Sequence, residues 1–465
     1  MKHKEEIIYE VPIDDLVAEG KCISKVNGKI IFTEYTAPGD VVDIKIKKSK
    51  KNYSEAEVIY YHKYSEERVH PFCSHFSICG GCKLQHINYA AQLKYKARQV
   101  SDHLTRIGNV SAEKVYPILP SEQIQYYRNK LEYTFSSRRW LTKEEIASNE
   151  PISKYALGFH VPGMFDRVID IKHCYLQPGI SNALRNEIKE YTLQKGWEYF
   201  DAKTQKGFLR SLMIRTTEEG QTMVLLQFFE NRKKEIEELL QHIKQTFPHI
   251  TSLLYVINPK GNDTIYDQQV HLYYGKEYIT ERIAHLHFRI GPKSFFQTNT
   301  RQTAMLYKKA LELAALEGNE TLYDLYTGTG TIALFAAGLV KKVIGIEYIS
   351  QSIEDARKNA EANHICNALF FTGDIKEVLT ENFLQEHGTP DVIITDPPRA
   401  GMHTDVTQKL LDIAAEKIVY ISCNPATQAR DIALLSSKYK LSAIQPVDMF
   451  PHTHHVENIA LLTLR

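Results

Sequence analysis

The chain has 465 residues, 43% of them hydrophobic and 24% charged, with a formal net charge of +1. That length exceeds one ordinary core, so about two to four domains are expected, and the near-neutral balance excludes binding a polyanion by overall charge, leaving only local patches. No apolar run can span a bilayer and the N-terminal stretch MKHKEEIIYE lacks the apolar segment of a signal peptide, so a cytoplasmic protein without membrane contact is expected.

Residues 1–62 alternate short β-type runs with turn signals. Strands are expected at Ile7–Tyr9, Lys29–Phe32, Val41–Ile46 and Ala56–Tyr60, with turns at Asn27-Gly28 and Pro38-Gly39-Asp40. This spacing describes a small β-barrel. Lys45, Lys47 and Lys48 run into Ser49-Lys50-Lys51-Asn52-Tyr53, a basic run with an aromatic, which suits phosphate contact and base stacking but also a solvated hairpin. Ala18-Glu19-Gly20 followed by Ala37-Pro38-Gly39-Asp40 resembles a TRAM domain, an RNA-binding barrel.

Residues 63–285 read as a central α+β domain. It opens with Cys73, Cys79 and Cys82, spaced C-x5-C-x2-C, with Gly80-Gly81 allowing a tight fold around one centre. Seven cysteines in this length do not make a disulfide scaffold, and three bunched together point to metal or cluster ligation. Cys174 is the candidate fourth ligand. Four cysteines fit tetrahedral zinc or an iron–sulfur cluster, and spacing does not separate them. A helix is expected over 88–108 and could pack on the catalytic domain; Lys94, Lys96, Arg98 and Arg106 read as its solvated face. Tyr126-Tyr127-Arg128-Asn129-Lys130, Arg138-Arg139-Trp140, Lys206–Arg210 and Arg215 interleave basic and aromatic residues, a pattern for single-stranded RNA.

Residues 286–465 change character. A helix over about 300–316 precedes strands at 321–326, 343–347, 368–372, 391–395, 417–422, 440–448 and 456–464, with helical patterns between most of them. This is α/β, a doubly wound Rossmann-like domain. Asp324 to Gly330 follows the first strand, and its glycines let a ligand approach the backbone. Glu347 ends the second strand, where an acid holds ribose hydroxyls, and Asp374 ends the third, in position to meet an adenine amino group. Gly328 to Ala333 also matches G-x-G-x-x-A, so a dinucleotide is the formal rival. The acid at Asp324 and Asp396-Pro397-Pro398-Arg399 at the fourth strand end favour S-adenosylmethionine (SAM), whose sulfonium and amino groups are cationic.

One strand later, Val419–Ser422 is an apolar run that stops before Cys423. Alone, that cysteine reads as a small core residue. Beside a SAM-type loop it is a candidate nucleophile at the ligand edge of the sheet. Carbon 5 of uracil is a poor nucleophile until a thiolate adds at carbon 6, and a base must then take the carbon 5 proton. Glu457, at the start of the last strand, is the candidate base. His452, His454 and His455 beside it read as orienting or solvated groups.

Phe295-Phe296-Gln297, Asp324 to Gly330, Asp396 to Arg399, Ser422-Cys423-Asn424-Pro425 and His454-His455-Val456-Glu457 together resemble the RNA uracil-5 methyltransferase family. The resemblance implies Cys423 as nucleophile, Glu457 as base, and Gln297, Tyr326, Glu347 and Asp396 at SAM. The family has an asparagine or similar residue after the glycine loop, where this chain has Thr331. The barrel and the cysteine motif resemble the ribosomal-RNA branch, which implies a 4Fe–4S cluster on Cys73, Cys79, Cys82 and Cys174, structural or RNA-positioning in role. A monomer acting on a uridine of 23S ribosomal RNA is therefore expected. A T-loop uridine of tRNA is the runner-up, and a non-catalytic RNA-binding assembly factor is the rival of another class.

Overall fold

The computed structural model describes residues 6–148 and 151–465; Met1–Glu5, part of the stretch read for a signal peptide, lie outside them. The N-terminal strands are β1 (Ile7–Pro12), β2 (Asp15–Leu16), β3 (Lys21–Val26), β4 (Lys29–Glu34), β5 (Val41–Ser49) and β6 (Tyr53–Lys63), and they form one sheet in the order β1-β5-β6-β4-β3-β2. Asn27 and Gly28 both adopt positive φ, 48° and 76°, which gives the β3–β4 hairpin the twist of its strands. The sheet buries Val11, Ile31, Val42 and Ile44, and this core continues into Leu84, Ile87, Ala91 and Tyr95 of the next segment. The barrel is therefore completed by residues beyond its own strands.

Helix α1 (Tyr89–Arg106) begins at Asn88, whose side chain accepts from Ala91 N. Its first turns face the barrel through Ala91 and Tyr95, and Val100 and Leu104 join the core of the catalytic sheet. After β7 (Lys114–Val115) comes a central sheet with β8 (Lys130–Ser136), β9 (Arg139–Trp140), α2 (Lys143–Ala147), β10 (Ala156–His160), β11 (Val168–Asp170), α3 (Gly179–Gln194), β12 (Leu209–Thr216), β13 (Thr222–Phe228), α4 (Lys233–Thr246), β14 (Ser252–Ile257) and β15 (Val270–Gly275). Its order is β15-β14-β13-β12-β8-β10-β11-β9. Leu184 and Ile188 of α3 and Leu239 and Leu240 of α4 share its core. The hairpin β16 (Ile279–Ile283) and β17 (Leu286–Ile290) links it to the last unit.

That unit comprises α5 (Thr300–Ala314), β18 (Thr321–Leu325), α6 (Thr331–Ala337), β19 (Lys342–Glu347), α7 (Ser350–Ala362), β20 (Ala368–Thr372), α8 (Ile375–Val378), α9 (Glu381–His387), β21 (Val392–Thr395), α10 (Thr404–Ile413), β22 (Lys417–Ser422), α11 (Pro425–Leu435), β23 (Tyr439–Val447) and β24 (Glu457–Leu464). The sheet order is β20-β19-β18-β21-β22-β24-β23-β7. Strands β18 to β22 are mutually parallel, and β24 enters antiparallel between β22 and β23. Side chains alternate between two covered faces, as a doubly wound sheet requires. Val392, Ile394, Val419 and Ile421 pack with α5, α6 and α7, whereas Ile393, Ile418 and Tyr420 pack with α1, α10 and α11. The seven strands expected here form within a residue of their expected bounds, and β7, from the 63–285 stretch, adds an eighth. Among the described residues no helix is long and apolar enough to cross a membrane.

Candidate active site

The strand order reverses between β18 and β21, and the chemistry-bearing residues gather at the carboxyl ends of the parallel strands there. Asp324 is fully buried near the end of β18; its Oδ2 accepts from Ala333 N at 3.0 Å and from Thr327 Oγ1. Its Oδ1 is buried with no protein partner. Tyr326 follows at φ 63°, then Gly328 at 55° and Gly330 at 79°. A Cβ on Gly330 would stand 3.0 Å from Ala356 Cβ and 3.1 Å from the Phe370 ring, while Gly328 faces open space. The loop thus folds tightly against the protein and leaves room on its outer side. Glu347 accepts from Gly328 N at 3.2 Å and Ile349 N at 3.0 Å, which ties the acid to the glycine loop. Asp374 caps α8, accepting from Lys376 N. The Gln297 side chain lies beside the Asp396 carboxyl and favours its charged form, so those two are brought together. Thr331 bonds Tyr307 Oη at 2.9 Å.

These groups fit a cation. Burial pushes Asp324 and Asp396 up to about 7 each, opposed by hydrogen bonds from Thr327 and Ala333 N to the first and by Gln297 beside the second. A sulfonium and an ammonium would supply the missing charge.

The register of the sheet explains where Cys423 and Glu457 meet. Ser422 pairs with Asn458, so the residue after the one and the residue before the other face each other at the carboxyl end of β22. Cys423 is half-buried, and Glu457 is 3% exposed. Desolvation raises Glu457 to about 8, with Asp396 adding repulsion and Arg399 opposing it. Cys423 is raised to about 11 by burial, then by Glu457 and Asp396; Arg399 again lowers it. Arg399 Nη2 lies 2.8 Å from His455 Nδ1, and Asn424 Nδ2 donates to the Arg399 carbonyl at 3.0 Å. Arg399 stands in the quoted Asp-Pro-Pro-Arg motif, but sequence reasoning gave it no role in the site.

Residues 208–465 match the model of the tRNA (Uracil-5-)-methyltransferase family, and residues 6–59 that of the TRAM domain. The chain belongs to this methyltransferase family. A Bacteroides thetaiotaomicron RNA methyltransferase is 52% identical over 97% of this chain and 100% of that protein, and one from Chlorobaculum tepidum is 38% identical over 99% and 97%. The crystal structure of the Pyrococcus abyssi tRNA (uracil-54, C5)-methyltransferase with S-adenosyl-L-homocysteine is similar over 99% of this chain and 100% of that one, with a TM-score of 0.76 and 29% identity. The protein is an RNA uracil-5 methyltransferase that uses SAM.

In this methyltransferase, Cys73, Cys79, Cys82 and Cys174 line one cavity of about 190 Å³, together with Phe76, Leu131 and Phe159. Cys79 and Cys82 are pushed up to about 12 by burial, and each is raised further by the neighbouring thiols. Among the described residues no three His, Cys, Asp or Glu side chains converge to hold a metal ion. The four thiols surround a volume instead of meeting at a point. Lys83 N and Leu84 N, next in chain to Cys82, both donate to the His452 carbonyl at 2.9 Å. The cysteine segment and the segment leading to Glu457 are thereby bonded to each other.

Several residues read for RNA contact are spent within the methyltransferase itself. Arg138 pairs with Asp201 at 2.9 Å, and Arg139 pairs with Glu145. Arg210 is buried and donates to the carbonyls of Asn258 and Lys260. Arg215 is buried too and donates to the Ser294 carbonyl at 2.7 Å. The 126–129 stretch is not strand, and Tyr126 has φ 55°. Lys96, read as part of a solvated face, is 2% exposed and lies 2.6 Å from Asp448. Its signal in the sequence is positional, because Tyr89, Gln92 and Lys96 share one stripe of the helix.

Proposed function

We propose that this methyltransferase makes 5-methyluridine in 23S ribosomal RNA through a covalent protein–RNA adduct. The observation that carries the reading is the pairing of Cys423 and Glu457 at facing strand ends beside the SAM-type loop. SAM supplies the methyl group. The Cys423 thiolate forms a bond to carbon 6, and the displaced carbon 5–carbon 6 π pair becomes an enolate that makes carbon 5 nucleophilic. Carbon 5 takes the methyl group as the donor's sulfur–methyl bond breaks and S-adenosylhomocysteine leaves, and the Glu457 carboxylate removes the proton left on carbon 5. The carbon 6–sulfur bond then breaks, the ring double bond re-forms and the thiolate is regenerated. Gln297 holds Asp396 toward the donor, and Tyr326, Glu347 and Asp374 border it.

Cys423→Ala is expected to abolish methyl transfer to RNA. RNA carrying 5-fluorouridine should trap the wild-type protein in a denaturation-stable adduct, since fluorine leaves no proton to remove. Wild-type turnover by the alanine variant would end the covalent reading.

We infer that the four cysteines hold a 4Fe–4S cluster. A single zinc ion needs all four sulfurs within about 2.3 Å of one point, whereas an iron–sulfur cube takes one thiolate per iron around a volume. The cavity with thiols on its walls supports the second. Uracil methylation needs no electron, so the residues act by holding the segment 73–84 against the active-site loop. Iron and sulfide in anaerobically prepared protein support this; zinc alone would refute it.

The barrel and the cysteine set support a ribosomal target. A tRNA T-loop uridine is a second reading, favoured by the full-length likeness to the Pyrococcus abyssi tRNA enzyme. Mapping 5-methyluridine in 23S ribosomal RNA and in tRNA from a deletion strain distinguishes them.

A further inference from the structure

The turn between β23 and β24 carries the residues that lead into Glu457. It starts at the pair Val447–Glu457. Five consecutive residues on its first limb are each bonded to another element. Asp448 Oδ1 accepts from Lys96 Nζ at 2.6 Å, and its Oδ2 from Tyr89 Oη at 2.8 Å. The Met449 carbonyl accepts from Asn299 Nδ2 at 2.9 Å, and the Phe450 carbonyl from Lys96 Nζ at 3.1 Å. The Pro451 carbonyl accepts from Tyr127 Oη at 2.9 Å. His452 N donates to Gln92 Oε1 at 3.0 Å, and Gln92 Nε2 lies 3.2 Å from His452 Nδ1. Gln92 Nε2 also donates to the carbonyls of Leu84 and Ile87, at 3.0 and 2.7 Å.

Three of these partners, Tyr89, Gln92 and Lys96, sit on one stripe of α1, and the Gln92 and Lys96 side chains are almost fully buried. A buried amide and a buried ammonium are costly unless every contact is specific. Here each is spent on a segment about 350 residues away, where His452 is held at φ 63°, a backbone state that L-residues enter only under constraint. A simpler structural helix face would need neither group.

We propose that Gln92 and Lys96 of α1 are positioning residues for Glu457, clamping the 448–452 turn so that the carboxylate reaches the carbon 5 proton. The proposal rests on Glu457 being the base. Its effect falls on one step, the removal of that proton with release of the sulfur from carbon 6. Thiol addition and methyl transfer use groups on other strands.

The test is single-turnover methylation by the full-length protein, with methyl-labelled SAM and its RNA substrate. It counts methylated protein–RNA adduct on denaturing gels alongside free methylated RNA. For Gln92→Ala, release of product should slow by about 10- to 100-fold. The KM for SAM and for RNA should stay within about twofold, and methylated adduct should accumulate. Tyr89→Phe should show the same signature more weakly. Lys96→Met leaves Asp448 buried without its partner and can fail to fold, so the two uncharged variants carry the test. Gln92→Glu, which keeps the acceptor for His452 N, should recover part of the rate.

Glu457→Gln is the reference for a missing base. If it gives no adduct, the reading of Glu457 falls. If it gives adduct while Gln92→Ala releases product at the wild-type rate, or slows without adduct, the positioning proposal falls alone.

Discussion

At the level of single residues, the site is a group of acids held above their ordinary range. Asp324 and Asp396 sit at about 7 and Glu457 at about 8 because burial disfavours their charged forms. The folded chain therefore keeps protons that the unfolded chain has lost. The number bound is larger in the native state, so stability without ligand falls as pH rises from about 4 to about 8. A bound cation reverses this by favouring the carboxylates. SAM binding near pH 7 should expel protons, visible as a binding heat that changes with the ionisation heat of the buffer. The affinity should rise with pH until about 7; a heat independent of buffer would count against Asp396 facing the sulfonium. The place of Cys423 just past the end of β22 was legible in the sequence, because an apolar run that stops before Asn424-Pro425 is a local pattern. Lys96 was not, since its partner Asp448 is 352 positions away and a lysine on a helix reads as solvent-facing.

Among elements, the strands of the catalytic sheet were readable because alternate residues on both covered faces are branched and apolar. Strand β3 escaped because its inward residues are Cys22 and Ser24, small or polar groups that leave no apolar alternation. β2 and β7 are two residues each, too short to carry a period. The basic and aromatic strands misled for a physical reason. Arg210 looks like a phosphate ligand until its carbonyl partners and the Phe200 ring beneath it, 4.6 Å from the guanidinium, are known. Caps matter at the same scale. Asn299 accepts from Gln302 N at the start of α5 and donates to the Met449 carbonyl. Asn299→Ala should cost about 1–2 kcal/mol, read as a lowered denaturant midpoint.

For the molecule as a whole, the barrel, the cysteine segment, α1 and the catalytic sheet share bonds instead of lying in series. The barrel core closes on Leu84, Ile87 and Tyr95, so removing residues 1–62 exposes that apolar face. Such a truncated protein should self-associate in sedimentation and lose thermal stability, not merely bind RNA less well. A catalytic unit that kept its full stability alone would contradict the shared core.

The bonded turn ahead of Glu457 also decides which partner must deform. Five successive residues of it are fastened to other elements, so the protein has little slack to follow a nucleobase into a helix. On the proposed mechanism the RNA would then bring the base to a fixed place and bear the loss of stacking itself. A uridine splayed from a loop is therefore expected to be methylated faster than the same uridine held in a duplex, as rates on the two RNAs would show.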